Sequence, residues 1–506
     1  MAGKKGGYAV PKKIRDMRPE GTEVKKIKGH YYVYEARCVK DPSTGRWRKV
    51  SGSKIGSIDP ARGFLRNGES VSSTEVTCID FGAEFLLANA ADATFLRLSE
   101  TFCYADCLRL FVLGATYVAK GYQPIRDLAA RIEPTLFGEV SSASAKWGES
   151  AMASFLHDLG ARRTKPARLM QSLADSSSGK VAVDTHSIAS FSEANCLAGW
   201  GWKHARVGGP QINFLMAYDS GSGMPIYSDA VEGSTVDKAS VASMLEAVGF
   251  RDTLFLADQG YYSEENKRLF SRNGCTYIMP VPSICRSFKR ATRELAFTGQ
   301  FLYRRKGKVT VVRWFESEPL SEGSERVLVF RDEAQNQADR ASYLECVERG
   351  ERGFTAERYE ELSPFFGVYV LGTNRGGDAE SVFRDYKDRW PIETFYDWFA
   401  NDADLRALGL QDFYAVKGMA VVFLVAGMIR CELLHLLAAK AKSVSVREAV
   451  ALSSYLKAEK RAGTWHVTNK KKRAMSLFES LGIEVPATLD EFLSPKRKVM
   501  IGKQDA

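Results

Sequence analysis

Three acidic residues occur in local sequences that suit metal-dependent chemistry on phosphodiester bonds. Asp184 follows the apolar residues of KVAVD, Asp258 follows those of LFLAD, and Glu393 lies in YKDRWPIETF. The first two acids each close a short aliphatic or β-branched run, where a strand is expected to end and a site can begin. If the three carboxylates converge, they can hold two divalent cations about 4 Å apart, the arrangement used for in-line phosphoryl transfer.

Asp184 and Asp258 also have a plainer explanation, since an aspartate after a strand often caps a turn. Burying an isolated carboxylate is costly, so an acid in such a place lies at the end of the sheet, is partnered, or binds a metal. Asp258 is the better placed of the two. Gly260 lets the backbone turn before the next helix, and polar catalytic groups commonly emerge at the carboxyl ends of such strands.

Glu393 depends on its neighbours, because a glutamate on a helix is usually a solvated surface residue. Tyr386 and Arg389 precede it by seven and four residues, which predicts a phenol, a cation and an acid on roughly one face of a helix. Such a donor and such a fixed cation can contact a single phosphate. Three nearby acids compete for the place of the third ligand: Asp385, Asp388 and Asp397.

Four further residues have weaker indications of function. Lys203 and Arg206 flank a histidine in GWGWKHARVGG, which suggests a basic loop that can contact DNA. Trp314 lies among basic strands, where an exposed ring can stack on an unpaired base, although core packing explains it equally well. His186, two residues after Asp184, is interpreted as a structural histidine. The sequence contains no Walker A loop, Rossmann glycine fingerprint or G-x-S-x-G elbow.

Composition indicates a basic globular protein with a polyanionic partner. The 71 Lys and Arg residues exceed the 61 Asp and Glu residues by ten, and nine basic residues cluster between positions 4 and 28. The nine dispersed cysteines fit a reducing compartment, and no apolar segment follows the basic N-terminus, so we expect a cytoplasmic protein. The most apolar stretch, residues 419–429, is shorter than a bilayer span and predicts a buried core helix rather than a membrane contact.

The order of the elements indicates an α/β fold. Residues 1–28 read as a basic, loosely ordered arm. Residues 30–58 alternate as two strands, and residues 82–173 have helical apolar spacing. A strand, a hairpin, a helix, a strand, a helix and a strand follow, which suits a mixed sheet with a parallel crossover. Residues 283–370 contain strand-like pieces and one helix-like piece, residues 411–475 read as helical, and Pro391 predicts a kink or a new helix start.

Several of these segments resemble bacterial DDE transposases of the IS4 superfamily, and within it the IS1634-like branch. The resemblance is carried by KGHYYVYEARCVKDPSTGRWRK, VAVDTHSIASFSE, GMPIYSDAVEGSTVD, LADQGYYSEEN and YKDRWPIETFYDWF. Its most specific parts are the Asp-x-Gly-Tyr string with the downstream Asn266 and the Tyr-x-x-Arg-x-x-x-Glu spacing. Together these segments extend over most of the chain.

The resemblance implies a ribonuclease-H-like core, a mixed sheet flanked by helices, with an insertion between the second and third acids. The spacing agrees, since 74 residues separate Asp184 from Asp258 and 135 separate Asp258 from Glu393. By similarity, the three acids bind two Mg²⁺ ions (Mn²⁺ is an alternative), with Asp184 bridging them. Tyr386 and Arg389 hold transposon-end DNA near the scissile phosphate. The implied partners are double-stranded DNA, at the terminal repeats and the target, and a second protomer in the synaptic complex.

One position departs from the family pattern. That pattern continues from the glutamate to a lysine seven residues later, but this chain has Ala400, followed by Asn401 and Asp402. The corresponding phosphate contact is then absent or supplied by another residue, such as Arg406. Two alternatives to a transposase stay open: a ribonuclease-H-like nuclease without strand transfer, and a DNA-binding derivative that no longer uses its site.

The same patterns divide the chain into six regions. These are a basic arm and β-rich region (1–80), a helical, DNA-binding region (81–178), a first core segment (179–282), an insertion domain (283–365), a second core segment with the third acid (366–438) and a C-terminal helical region (439–506).

Overall fold

The computed structural model describes most of the chain. The described residues are 10–41, 44–60, 63–67, 77–201, 207–234, 237–305, 307–318, 325–399, 405, 407–461 and 463–489. The chain divides into two compact units, Met1–Thr77 and Cys78–Ala506.

The first unit is a four-stranded antiparallel sheet with one short helix. Its elements are α1 (Lys12–Arg15), β1 (Thr22–Ile27), β2 (His30–Lys40), β3 (Trp47–Asp59) and β4 (Gly63–Arg66), and the strands follow one another in the sheet. The two strands predicted between residues 30 and 58 are confirmed. The loosely ordered arm predicted over residues 1–28 is wrong for β1, which pairs with β2 along its whole length.

A helical region opens the second unit, as the apolar spacing over residues 82–173 predicts. Its elements are β5 (Thr77–Asp80), α2 (Gly82–Ala90), α3 (Asp92–Ser99), α4 (Tyr104–Lys120), α5 (Leu128–Ile132), α6 (Leu136–Ser141), α7 (Glu149–Ala161) and α8 (Thr164–Asp175). Large apolar residues on these helices, among them Phe85, Phe111 and Leu156, are fully buried. Their burial stabilises the region by removing apolar surface from water.

A nine-stranded mixed sheet forms the centre of the second unit. Its strands are β6 (Lys180–Ala189), β7 (Gln211–Asp219), β8 (Met224–Glu232), β9 (Leu254–Ala257), β10 (Thr276–Pro280), β11 (Gly299–Arg305), β12 (Lys308–Ser317), β13 (Arg326–Asp332) and β14 (Val368–Thr373). The order across the sheet is β11-β12-β13-β14-β10-β9-β6-β7-β8. β9 runs parallel to both β6 and β10, while the remaining pairs are antiparallel.

Helices alternate with these strands and flank the sheet. They are α9 (Asp237–Val248), α10 (Glu264–Arg272), α11 (Arg286–Ala291), α12 (Glu333–Glu348) and α13 (Ala356–Leu362). The predicted order of strand, hairpin, helix, strand, helix and strand is confirmed from β6 to β10. The mixed sheet with flanking helices confirms the predicted α/β fold class and is consistent with a ribonuclease-H-like core.

The predicted insertion, residues 283–365, contributes strands to the same sheet. β13 pairs with β14, and β12 and β11 continue outward from it. The insertion therefore widens the central sheet and does not build a separate one. Sequence could not show this, because the pairing of β13 with β14 joins segments on opposite sides of α12 and α13.

Two helices follow β14 and carry the region of the third acid: α14 (Ala379–Lys387) and α15 (Trp390–Asp397). Pro391 is the second residue of α15, so the helix start predicted there is confirmed. A proline is tolerated in a first helical turn because its missing N–H has no helical acceptor there. The prediction of Tyr386, Arg389 and Glu393 on one face of one helix is wrong, since the chain changes helix between them.

The longest helix is α16 (Phe413–Lys440), which packs against α4, α7 and β8. By length and composition it is apolar enough to cross a membrane, but 78% of its most apolar window is buried inside the protein. The predicted core helix is therefore confirmed. Gly160 on α7 and Gly418 on α16 allow a close approach, because a Cβ at either would collide with a carbonyl of the other helix.

The last described segment is only partly helical. It contains α17 (Val446–Ser453), β15 (Lys457–Arg461), β16 (Thr464–Thr468) and α18 (Lys472–Leu481), and its strands form a small sheet with β5. The continuous helical prediction over 411–475 is wrong at this hairpin. The polar sequence KAEKRAGTWHV has no helical periodicity, and Gly463 adopts φ +89° at its turn.

Candidate active site

The register between β6 and β9 places Asp184 and Asp258 side by side. In this parallel pair Val183 lies opposite Ala257, and Asp184 and Asp258 are the residues that follow them in the chain. Neighbouring strands lie about 4.8 Å apart and paired positions face the same side of a sheet, so the two carboxylates emerge together. Sequence alone could not show this neighbourhood, because the two strands are separated by the β7–β8 hairpin and α9.

Asp184 is not the end of its strand, contrary to the prediction. β6 continues to Ala189 because it pairs with β7 along its full length. β9, however, ends at Ala257, so beyond this point β6 loses its neighbour on that side. Asp184 therefore lies within a strand but at the point where the parallel part of the sheet stops. Its Oδ1 accepts a hydrogen bond from the Thr185 amide at 2.8 Å, and Asp258 is exposed.

The loop after Asp258 is fixed to β6 by polar contacts. Tyr261, fully buried in a 3₁₀ turn, shares a short hydrogen bond through its hydroxyl with the Thr185 hydroxyl. The buried Asn266 side chain donates to the Tyr261 carbonyl at 2.9 Å. Ser263 caps α10 by accepting from the Asn266 amide. The string from Asp258 to Asn266 is thus the framework that orients the acid, which explains its spacing.

Helix α15, which carries Glu393, is attached to the strand that carries Asp184. The Tyr396 hydroxyl contacts two backbone carbonyls, donating to that of Asp184 at 2.8 Å, with that of Phe214 at 3.4 Å. The Tyr396 ring stacks on His186, with 5.1 Å between centroids and 15° between planes. His186 and Asp184 share a face of β6, so α15 covers the face from which Asp184 projects. This stack agrees with the structural interpretation of His186.

The sequence did not predict the contact that Tyr396 makes with β6. It lies three residues after Glu393, one helical turn away, so the backbone of Glu393 is held near the two aspartates. The Glu393 side chain itself lies outside the part of the chain that the structure describes. The only signal in the sequence was the tyrosine in the quoted segment ETFYDWF.

Two of the three acids that compete with Glu393 for the place of the third ligand form ion pairs away from the site. Asp385 is buried and accepts from Lys180 at 2.6 Å and from Arg375 in a shorter contact. Asp388 accepts from the same Lys180 at 2.9 Å. Carboxylates engaged by cations in this way have a structural role at the opposite end of β6. Asp397 is exposed on α15.

Tyr386 and Arg389 remain close to each other despite the helix break. Tyr386 is half-buried near the end of α14, and the Arg389 guanidinium lies 5.8 Å from the centroid of its ring. Arg389 lies in the two-residue connection to α15, one turn before Glu393. A half-buried arginine over an aromatic ring keeps its fork of N–H donors in a limited set of orientations.

The other predicted contacts have different outcomes. Trp314 is half-buried on β12 and covers Gly299 of the neighbouring strand, where a Cβ would collide with the indole. This position is that of a packed side chain. Lys203 and Arg206 lie outside the described residues. The same holds for Ala400, Asn401, Asp402 and Arg406.

The donor set at this site fits a hard divalent cation. Asp184 and Asp258 provide carboxylate oxygens, which are the ligands that Mg²⁺ and Mn²⁺ prefer. Among the described side chains, no group of three His, Cys, Asp or Glu residues converges on one point. Glu393, whose side chain lies outside that set, is carried by the helix that Tyr396 attaches to Asp184.

Comparison with known proteins indicates the family of this chain. Residues 177–426 match the family model described as the transposase DDE domain. No curated protein matches the chain. Among solved structures, a cryo-EM structure of a piggyBac transposase synaptic complex with hairpin DNA is 11% identical. It covers 83% of this chain and 84% of its own, with a TM-score of 0.37. The matched region contains β6, β9 and α15, and the match supports a DDE transposase.

Proposed function

We propose that this protein is a cut-and-paste transposase of the IS4 superfamily, IS1634-like branch, that cleaves and rejoins DNA at the ends of its own element. The observation that carries the proposal is the β6–β9 register, which sets Asp184 beside Asp258 on neighbouring parallel strands. The attachment of α15 to the Asp184 carbonyl through Tyr396 adds the helix of Glu393. Two strand-borne acids and one helix-borne acid give the carboxylate set that phosphodiester chemistry with two cations needs.

The proposed roles follow from these positions. Asp184, Asp258 and Glu393 would hold two Mg²⁺ ions, which would neutralise charge on the phosphate and lower the pKa of the attacking hydroxyl group. Arg389 and Tyr386 orient the phosphate at the transposon end. Thr185, Tyr261 and Tyr396 do not touch DNA in this scheme; they keep the carboxylates in place.

The proposed reaction has two steps on the same phosphodiester backbone. Water attacks the phosphorus at the element end, and the leaving oxygen becomes a free 3′-hydroxyl. That hydroxyl then attacks a phosphorus of target DNA, so one phosphodiester bond forms as another breaks. Joining both ends of an element requires two copies of the site, which implies at least two protomers in the complex.

The test is cleavage of duplexes carrying the inverted repeats that flank the gene, with and without Mg²⁺, by wild type and Asp258→Asn. Removing one ligand charge should lower the cleavage rate by about 10³-fold or more, since metal charge stabilisation accounts for several kcal/mol of the barrier. Asp252→Asn is the matched control. It lies before the other end of β9 at φ 50°, a conformation that asparagine tolerates, and should cleave like wild type.

Two outcomes would contradict the proposal. Cleavage by Asp258→Asn at the wild-type rate would remove the catalytic role of the acid pair. Wild-type hydrolysis without any joined product from precut ends would indicate a nuclease without strand transfer. Comparing Glu393→Gln with Asp397→Asn, an exposed acid on the same helix, tests the third ligand in the same assay.

A further inference from the structure

The outer halves of β2 and β3 form a two-stranded ribbon, residues 36–40 paired with residues 47–51. β1 pairs only with residues 30–35 of β2, and β4 only with residues 56–59 of β3. Within the described residues, the ribbon therefore projects from the four-stranded sheet without a third strand on either edge. An isolated pair of strands is only marginally stable in water. The stability of the fold therefore does not explain why the ribbon carries these residues.

Both faces of the ribbon are open to solvent. All described residues in the ranges 37–40 and 44–54 are exposed. They include three large apolar residues: Val39 at 46%, Trp47 at 71% and Val50 at 38%. Three exposed large apolar residues on so short a ribbon indicate an interaction site.

The cross-strand register divides the ribbon into two chemically different faces. Arg37 lies opposite Val50 and Val39 opposite Arg48, so one face carries two arginines and two valines. The other face pairs Cys38 with Lys49 and Lys40 with Trp47. Residues 36–50 contain five basic residues and one acid. The exposed ion pair of Arg37 with Glu35, at 3.3 Å, engages only one end of that guanidinium.

We infer that this ribbon enters the major groove of duplex DNA, with the Arg37 and Arg48 face toward the base edges. The major groove is about 12 Å wide and admits a two-stranded ribbon, while the minor groove does not. Five residue pairs extend over about 17 Å, the rise of about five base pairs. Arginine forks match the acceptors of guanine, and valine methyl groups suit the methyl of thymine.

The opposite face is directed at the groove walls and the backbone. Lys40 and Lys49 supply point charges for phosphates, and Trp47 adds an apolar surface against the sugars. The inference rests on the proposed function for the identity of the partner, duplex DNA. It adds which surface of the first unit recognises the element end and by which groove.

The experiment uses the full chain with Asp258→Asn, so that binding is measured without cleavage. The probe is a duplex of the flanking inverted repeat, and affinity is measured by fluorescence anisotropy at several salt concentrations. Arg37→Ala/Arg48→Ala should weaken binding about 10²-fold, as expected for two lost bidentate base contacts. Arg15→Ala/Arg18→Ala removes the same charge from exposed positions of the same unit and should weaken it less than about fivefold.

A second arm identifies the groove. Replacing guanine by 7-deazaguanine in the probe removes an acceptor that only the major groove displays. This change should weaken the parent protein and leave the ribbon variant almost unaffected. Equal losses for the two arginine pairs, insensitivity to 7-deazaguanine, or tighter binding to the single strand would each overturn the inference. Strand transfer is assayed separately, so failure of the proposed function would leave this result intact.

Discussion

Two pairs of neighbouring strands in this protein have opposite composition and exposure. β6 and β9 are parallel and almost continuously apolar, and residues 181–183 and 254–257 are buried. The outer parts of β2 and β3 are antiparallel, basic and exposed on both faces. A parallel pair requires cover on both sides, whereas an antiparallel ribbon can stand in water.

The difference explains where each pair keeps its chemistry. In the β6–β9 pair, side chains are used for packing until the point where β9 ends, and only there do Asp184 and Asp258 emerge. In the ribbon the side chains of residues 37–40 and 47–51 are exposed and can reach a partner. The first pair therefore suits chemistry that needs fixed positions, and the second suits contact with a long, charged molecule.

The largest expected effect is on the free energy of unfolding. It comes from removing an aromatic ring from the β6–β9 pair, compared with the same change in the ribbon. Phe255 on β9 is fully buried between Phe250 and Phe270, with centroids at 5.3 and 4.6 Å. Phe255→Ala should lower the free energy of unfolding by about 3–5 kcal/mol. Trp47→Ala in the ribbon should change it by less than about 0.5 kcal/mol. Calorimetry of the full chain measures both, and a large loss for Trp47→Ala would show that the ribbon is packed.

A smaller effect is expected from the contact that connects α15 to β6. Tyr396→Phe keeps the stack on His186 but removes the hydroxyl that is hydrogen-bonded to the Asp184 and Phe214 carbonyls. Losing the hydrogen bonds of this hydroxyl should cost about 1–2 kcal/mol of stability. Cleavage should fall about tenfold or more, because the acids lose their relative position.

The control for this change is Tyr414→Phe, which removes an exposed hydroxyl at the start of α16. It should leave both stability and cleavage at wild-type levels. If Tyr396→Phe lowered stability but not cleavage, the attachment of α15 would be structural only, and the positioning role assigned to Tyr396 would be wrong.

The smallest effect compares a buried carboxyl group with a solvated one. Glu84 on α2 is 3% exposed, and burial raises its pKa above the ordinary value of 4.5 even though Lys120 lies 3.3 Å away. Because the folded state holds this proton to higher pH, stability is lost as pH rises from 4.5 through the raised pKa. Glu84→Gln removes this loss.

The measurement is the free energy of unfolding of wild type and Glu84→Gln across a series of pH values. The stability of the variant relative to wild type should increase with pH above 4.5 and then level off. Glu318→Gln, at a side chain 86% exposed, is the matched control and should give a constant difference. A constant difference for Glu84→Gln as well would show that Lys120 compensates for burial.

Local patterns in the sequence predicted much of the architecture. Alternation and turn residues indicated β2, β3 and the β7–β8 hairpin, and the helical spacing of residues 82–173 indicated α2 to α8. Pro391 indicated the start of α15. These predictions succeed because each depends on residues within a few positions of one another. The prediction failed at β15 and β16, which lie beside a helical stretch and join a sheet with the distant β5 through β15.

The site shows the same division. The sequence alone indicated the three acids, the glycine turn after Asp258 and the resemblance of several segments to a transposase family. Only the tertiary structure showed that β6 continues past Asp184, since β7 supports it, and that β9 stops beside it. Only the structure removed Asp385 and Asp388 from the candidates, through a lysine about 200 residues earlier in the chain.

What the sequence determined is therefore the identity of the acids and the type of element that carries each one, because side-chain chemistry and periodicity are local properties. Which acids become neighbours was decided by the pairing of β6 with β9 and by the bond from Tyr396 to the Asp184 carbonyl. Strand register and helix docking join segments that are 70 to 210 residues apart. Their geometry follows from burial of the whole sheet, which no short segment of sequence contains.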